Sequence, residues 1–133
     1  MLNRHLRARA ARLAMVVLLA MPQAVRAEIK DYEFQLVQTE VKHGDAELAV
    51  RLVDKRIGKA VPDAVIFSKR IDMAPDGMPT MAAPLETLPS TEPGVYRFKT
   101  ALSMAGNWQL SLSAKVQGEN GTLDSKLIVK ALP

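Results

Sequence analysis

Three of the chain's methionines, Met73, Met78 and Met81, fall within nine positions, and the chain contains no cysteine. Thioether sulfur is a soft donor, suited to Cu(I) and to few other biological ions. Cu(I) accepts three thioethers, or two with one imidazole, in a near-trigonal arrangement. Pro75 and Pro79 stiffen the segment and Gly77 lets it fold back, so Met73 and Met78 can face one centre. Met104 joins them if its loop lies at the same end of the fold. His43, in a Lys-His-Gly-Asp turn, offers an additional imidazole, although a lone turn histidine is ordinarily a solvated surface residue. Two other readings use the same methionines: as adaptable apolar plugs over the end of a core, or as a contact patch for a partner protein. Asp72 and Asp76 flank the segment, but carboxylates prefer hard ions and the spacing is not that of a calcium loop. They read as turn formers, with Asp76-Gly77 a common turn pair.

Catalytic chemistry finds little purchase. No cysteine nucleophile exists, His43 has no Gly-x-Ser-x-Gly partner, and no Gly-rich phosphate loop occurs. An enzyme is therefore not expected. Trp108 stands at the start of a strand with few aromatics near it, which marks a core anchor and not a base- or sugar-stacking platform.

The N-terminus reads as a secretory leader. Arg4, Arg7, Arg9 and Arg12 precede the apolar run Leu13 to Met21, and Val25-Arg26-Ala27 places small residues at a cleavage site. Nine apolar residues are too few to cross a bilayer, which takes roughly 18 or more, so cleavage after Ala27 is expected over an uncleaved membrane anchor. Residues 1–27 would be the leader and 28–133 one domain, with export implying a periplasmic location. Five of the 18 basic residues lie in the leader and none of the 14 acidic ones do, so the remainder holds 13 basic and 14 acidic side chains. The pI of about 9.6 thus belongs largely to the leader and is no nucleic-acid footprint.

What must position the methionines is a set of strands. Turn signals recur every dozen residues or so, and the runs between them alternate or are β-branched. Tyr32, Phe34 and Leu36 share one face, as do Leu48, Val50 and Leu52, and Trp108, Leu110, Leu112, Ala114 and Val116. Val65 to Ile71 forms another strand, with the methionine segment at its end. Five prolines between Met73 and Pro93 exclude a helix and most central strands, leaving a long connection with a short edge strand near Leu85 to Leu88. Ser103-Met104-Ala105-Gly106 reads as a tight hairpin, and Gly118 to Gly121 as another. The class is all-β: an immunoglobulin-like Greek-key sandwich of about six to seven antiparallel strands. Without disulfides, packing and strand pairing must supply its stability.

The run from Val53 to Ala64, the segment from Met73 to Met78, and Gly94-Val95-Tyr96-Arg97-Phe98 followed by Met104-Ala105-Gly106-Asn107-Trp108 resemble the YtkA-like/FixH family of exported β-sandwich domains. The resemblance rests on the order and spacing of these runs over roughly residues 30 to 130. It implies a periplasmic accessory that binds or moves copper beside heavy-metal efflux pumps or haem-copper oxidase assembly proteins. By position it implies ligands at Met73, Met78, Met81 and Met104. Family members often pair His with Met in that loop, whereas here Asp72 precedes Met73; FixH-type members also keep an N-terminal membrane helix, which the short apolar run argues against.

Overall fold

The computed structural model describes residues 14–16 and 27–133; the expected leader falls almost wholly outside the described residues. Ten strands form among them: β1 (Tyr32–Leu36), β2 (Glu40–Lys42), β3 (Gly44–Asp54), β4 (Lys59–Ala60), β5 (Val65–Met73), β6 (Met78–Ala83), β7 (Leu85–Leu88), β8 (Val95–Leu102), β9 (Gly106–Lys115) and β10 (Leu123–Leu132). One sheet runs β1-β3-β8-β7, with β4 continuing alongside β3; the other runs β2-β10-β9-β5-β6. This is the expected immunoglobulin-like sandwich. Short strands on its margins, β2, β4 and β6, bring the count above the expected six to seven, and β2 lies parallel to β10 where every pairing was expected to be antiparallel. No helix among the described residues is long and apolar enough to cross a membrane.

The core forms where the alternating faces meet. Leu48, Val50 and Leu52 of β3 and Phe98 and Leu102 of β8 face Trp108, Leu110, Leu112 and Ala114 of β9, all of them buried. Each fully buried leucine or phenylalanine contributes about 1.5–3 kcal/mol of transfer free energy, the driving force that fixes which face turns inward. Phe34 and Tyr96 add an edge-on ring contact at 6.1 Å and 82°, and the Tyr96 hydroxyl donates to the Val61 carbonyl while accepting from the Ala64 amide, closing one end.

Two expectations about connections change. Ser103 to Gly106 is no hairpin: β8 pairs with β3 and β7, whereas β9 pairs with β5 and β10, so the four residues arch from one sheet to the other. The proline-rich stretch is more ordered than a plain connection. Ala74–Asp76 make one 3₁₀ turn with Pro75 inside it, and β6 and β7 follow as the outer strands of opposite sheets. Edges are where proline is tolerated, because one side of the strand needs no N–H donor. Between them the chain changes sheets at Pro84, whose carbonyl accepts a 2.7 Å bond from the hydroxyl of buried Thr100.

Strand β6 pairs with β5 only from Ile71 to Met73, so among the described residues no strand lies beside that edge of β5 from Val65 to Arg70. Its register with β9 shifts between Ile66 and Ser68, a bulge at Phe67, and Lys69 stands opposite buried Leu112 on the inner face yet is exposed.

Candidate functional site

Several connections meet at one end of the sandwich. Gly44 pairs with Leu102, Ala131 with Gly106, and Met73 with Met78, so the His43 turn, the 103–106 arch and the methionine turn share that end. The structure therefore brings Met73, Met78 and Met104 onto neighbouring segments.

Met73 is the last residue of β5 and points inward. It is only 1% exposed and belongs to the core, which corrects the expectation of a flexible loop ligand: the strand continues two residues beyond Ile71, and Met73 takes the next inward position. Met78 lies directly opposite it on β6 and packs half-buried against the same core. Directly opposed residues hold their Cβ atoms about 4.5–5.5 Å apart, within reach of two long side chains. Between them Gly77 takes φ +76, and its amide donates to the Ala74 carbonyl, so the segment turns back as the Asp-Gly pair suggested. Asp72 also forms a turn: its carboxylate accepts from the Ala74 amide at 2.9 Å and from the Arg70 guanidinium at 2.9 Å.

Met104 approaches from the arch. Its side chain is 40% exposed, while its carbonyl accepts a 3.1 Å hydrogen bond from the indole of fully buried Trp108. The arch touches the methionine turn at Gly106, where a Cβ would stand 2.6 Å from both the Met73 terminal methyl and an Asp76 carboxylate oxygen. Exposure thus rises in steps, from Met73 in the core through Met78 to Met104 at the surface.

Asp76 does what sequence alone did not reveal. Beyond its turn it reaches the arch, with one carboxylate oxygen accepting from the Asn107 amide at 2.8 Å and the other from the Asn107 side-chain amide at 3.1 Å. These two bonds hold its pKa below the usual carboxylate value. The only local hint was the Asp-Gly dipeptide, which accounts for the turn and not for a partner 31 residues away.

Met81 and His43 stand apart from this group. Pairing jumps from Asp72 opposite Ala82 to Met73 opposite Met78, so residues 79–81 bow out of the ladder; Met81 there is 38% exposed, and the Pro79 carbonyl accepts from the Arg70 guanidinium. His43 shares the end of the sandwich but lies by β2 and β10, with its amide and Nδ1 both 2.9 Å from the Leu132 carbonyl. A carbonyl only accepts, so Nδ1 carries the proton, and a neutral ring presents its lone pair at Nε2. Two strand spacings, roughly 10 Å, separate β10 from β5 and set His43 apart from Met73.

Among the described residues no group of three His, Cys, Asp or Glu side chains is arranged to hold a metal. The soft donors on neighbouring segments at this end are the thioethers of Met73, Met78 and Met104. At the far end, a cleft of about 810 Å³ opens between β5 and β7 beside Ile66, Thr87 and Phe98. Among its lining groups the Tyr96 hydroxyl bonds to Val61 and Ala64.

Among solved structures, the filamin domain of Lin-41 is similar at a TM-score of 0.42 and 16% identity, over 78% of this chain and 94% of that one. No curated protein matches the chain. The YtkA-like family model matches residues 26–113, from ahead of β1 into β9, taking in the methionine turn, the arch and Trp108. By that match, which spans well over half of its length, the chain belongs to the YtkA-like family.

Proposed function

We propose that this is a non-catalytic periplasmic accessory domain that carries Cu(I) as cargo at the Met73, Met78 and Met104 end, exchanging it with a membrane efflux or oxidase-assembly complex. The observation that carries the reading is the meeting at Gly106, where the Met73 methyl lies against the arch that bears Met104. Three thioethers on adjoining segments match the donor number and softness that Cu(I) accepts. The graded exposure gives a route: the ion meets Met104 first, and Met73 closes the set from the core side. Met81 and His43 lie outside the set.

The test is competition between the purified chain and a Cu(I)-specific chromophoric chelator, beside a Met78→Leu/Met104→Leu variant. That variant keeps apolar volume and removes sulfur. Wild type should withdraw one equivalent of Cu(I) from the chelator and the variant much less. Equal, negligible competition by both would refute copper carriage. The burial of Met73 would then stand as packing, and exposed Met81 and Met104 as a metal-free docking patch for the same complex.

A further inference from the structure

The methionine set is built from two segments that share no strand pairing. Met73 and Met78 belong to the β5–β6 turn, Met104 to the arch between sheets. A thioether carries one long flexible stem, and three such stems hold a common centre only if their backbones keep a fixed separation. Hydrophobic contact alone is non-directional. A directional tie is present: both oxygens of Asp76, inside the turn, accept from the backbone and side-chain amides of Asn107, at the foot of the arch. Gly106, lying between, has no side chain to wedge the two apart.

We propose that Asp76 is a positioning residue for the thioether site, fastening the Met73–Met78 turn to the arch so that Met104 stays within ligating distance. This rests on the copper reading above. The tie is asymmetric in a useful way. Its acceptor sits on the turn, beyond Asp72 opposite Gln109 where the β5–β9 ladder ends, while its donors sit on β9, anchored in the sheet by β5 and β10. Asp76 therefore acts on the spacing of the set and touches no metal itself: it is a hard carboxylate aimed at amides, with both oxygens committed.

The experiment uses the full chain with ¹³C-methyl methionine, whose methyl resonances report each thioether separately, titrated with Cu(I) under anaerobic conditions. In wild type the methyls of Met73, Met78 and Met104 should shift together and saturate at one equivalent. In Asp76→Ala the Met104 methyl should drop out of that set and affinity should fall about tenfold, as loss of an outer-shell partner commonly does. Asp76→Asn, which keeps an acceptor for the Asn107 amide, should restore part of the Met104 response. Asp54→Ala, at the opposite end of the sandwich, controls for general destabilisation and should leave all three shifts in place. Asp76→Ala with three concerted shifts at wild-type affinity would overturn the positioning role while leaving copper carriage intact. Wild type with no methionine shift would remove both together.

Discussion

Replacing Gly106 with alanine tests whether the two methionine segments really touch. Gly106 sits at φ +142, which L-residues rarely adopt, and its new Cβ would meet the Met73 methyl and the Asp76 carboxylate at 2.6 Å each. The backbone strain costs about 1–3 kcal/mol and the overpacking a further ~1–3 kcal/mol, because Met73 is enclosed and Asp76 is held by Asn107. A central figure of about 4 kcal/mol lowers the melting temperature by roughly 16–32 °C in a domain of this size. Gly44→Ala separates the two costs: Gly44 also has positive φ, at +99, but a Cβ there meets nothing within 4 Å, so the strain stands alone at about 1–2 kcal/mol. Chemical denaturation of wild type, both single variants and the Gly106→Ala/Asp76→Ala double variant measures the rest. The double variant should be less destabilised than the sum of its singles, since Asp76→Ala removes one of the two obstacles. If Gly106→Ala matches Gly44→Ala within ~0.5 kcal/mol, the contact between turn and arch carries no energy, and the argument for a joined thioether set falls with it.

Trp108→Phe removes the indole donor from the Met104 carbonyl and leaves a small void in the core, a loss of about 2 kcal/mol by urea denaturation followed by circular dichroism. Thr100→Val deprives the Pro84 carbonyl of its 2.7 Å bond where the chain changes sheets, and should cost about 1–2 kcal/mol; an unchanged midpoint would show that this bond does not hold the crossing. Asp54 is held below the usual carboxylate pKa chiefly by its hydrogen bonds to the Arg56 guanidinium. A depressed folded-state pKa stabilises above the unfolded value near 4 and is lost as pH falls through the folded one, so wild type should lose melting temperature more steeply below about pH 4 than Asp54→Asn does.

The parts legible in the sequence are those with a strong local period. Leu48, Val50 and Leu52 alternate with polar neighbours, as does the run from Trp108 to Val116, and these strands form the core faces the pattern indicates. Sheet membership was not legible at Ser103 to Gly106. Two amphipathic strands joined by a short Gly-containing loop look alike whether they pair or face each other, and the choice is made by distant partners, β3 for β8 and β5 for β9. Prolines concealed β6 because propensity speaks against central strands and says little about edges. At the site, the methionine spacing was visible, but the depth of Met73 depended on how far β5 continues, and the Asp76–Asn107 tie depended on a fold that joins residues 31 apart.

The unpaired edge of β5 has a consequence for the molecule in company. From Val65 to Arg70 the chain offers ladder groups to any neighbour, with Val65 and Phe67 exposed beside them. The bulge at Phe67 breaks the flat register a second strand would need, and Lys69 puts a charge on the inner face, where an incoming copy would have to bury it. Both are concessions in regularity that the isolated domain does not require. By the rule that bulges and inward charges blunt an open strand edge, both disfavour one chain becoming the next strand of another.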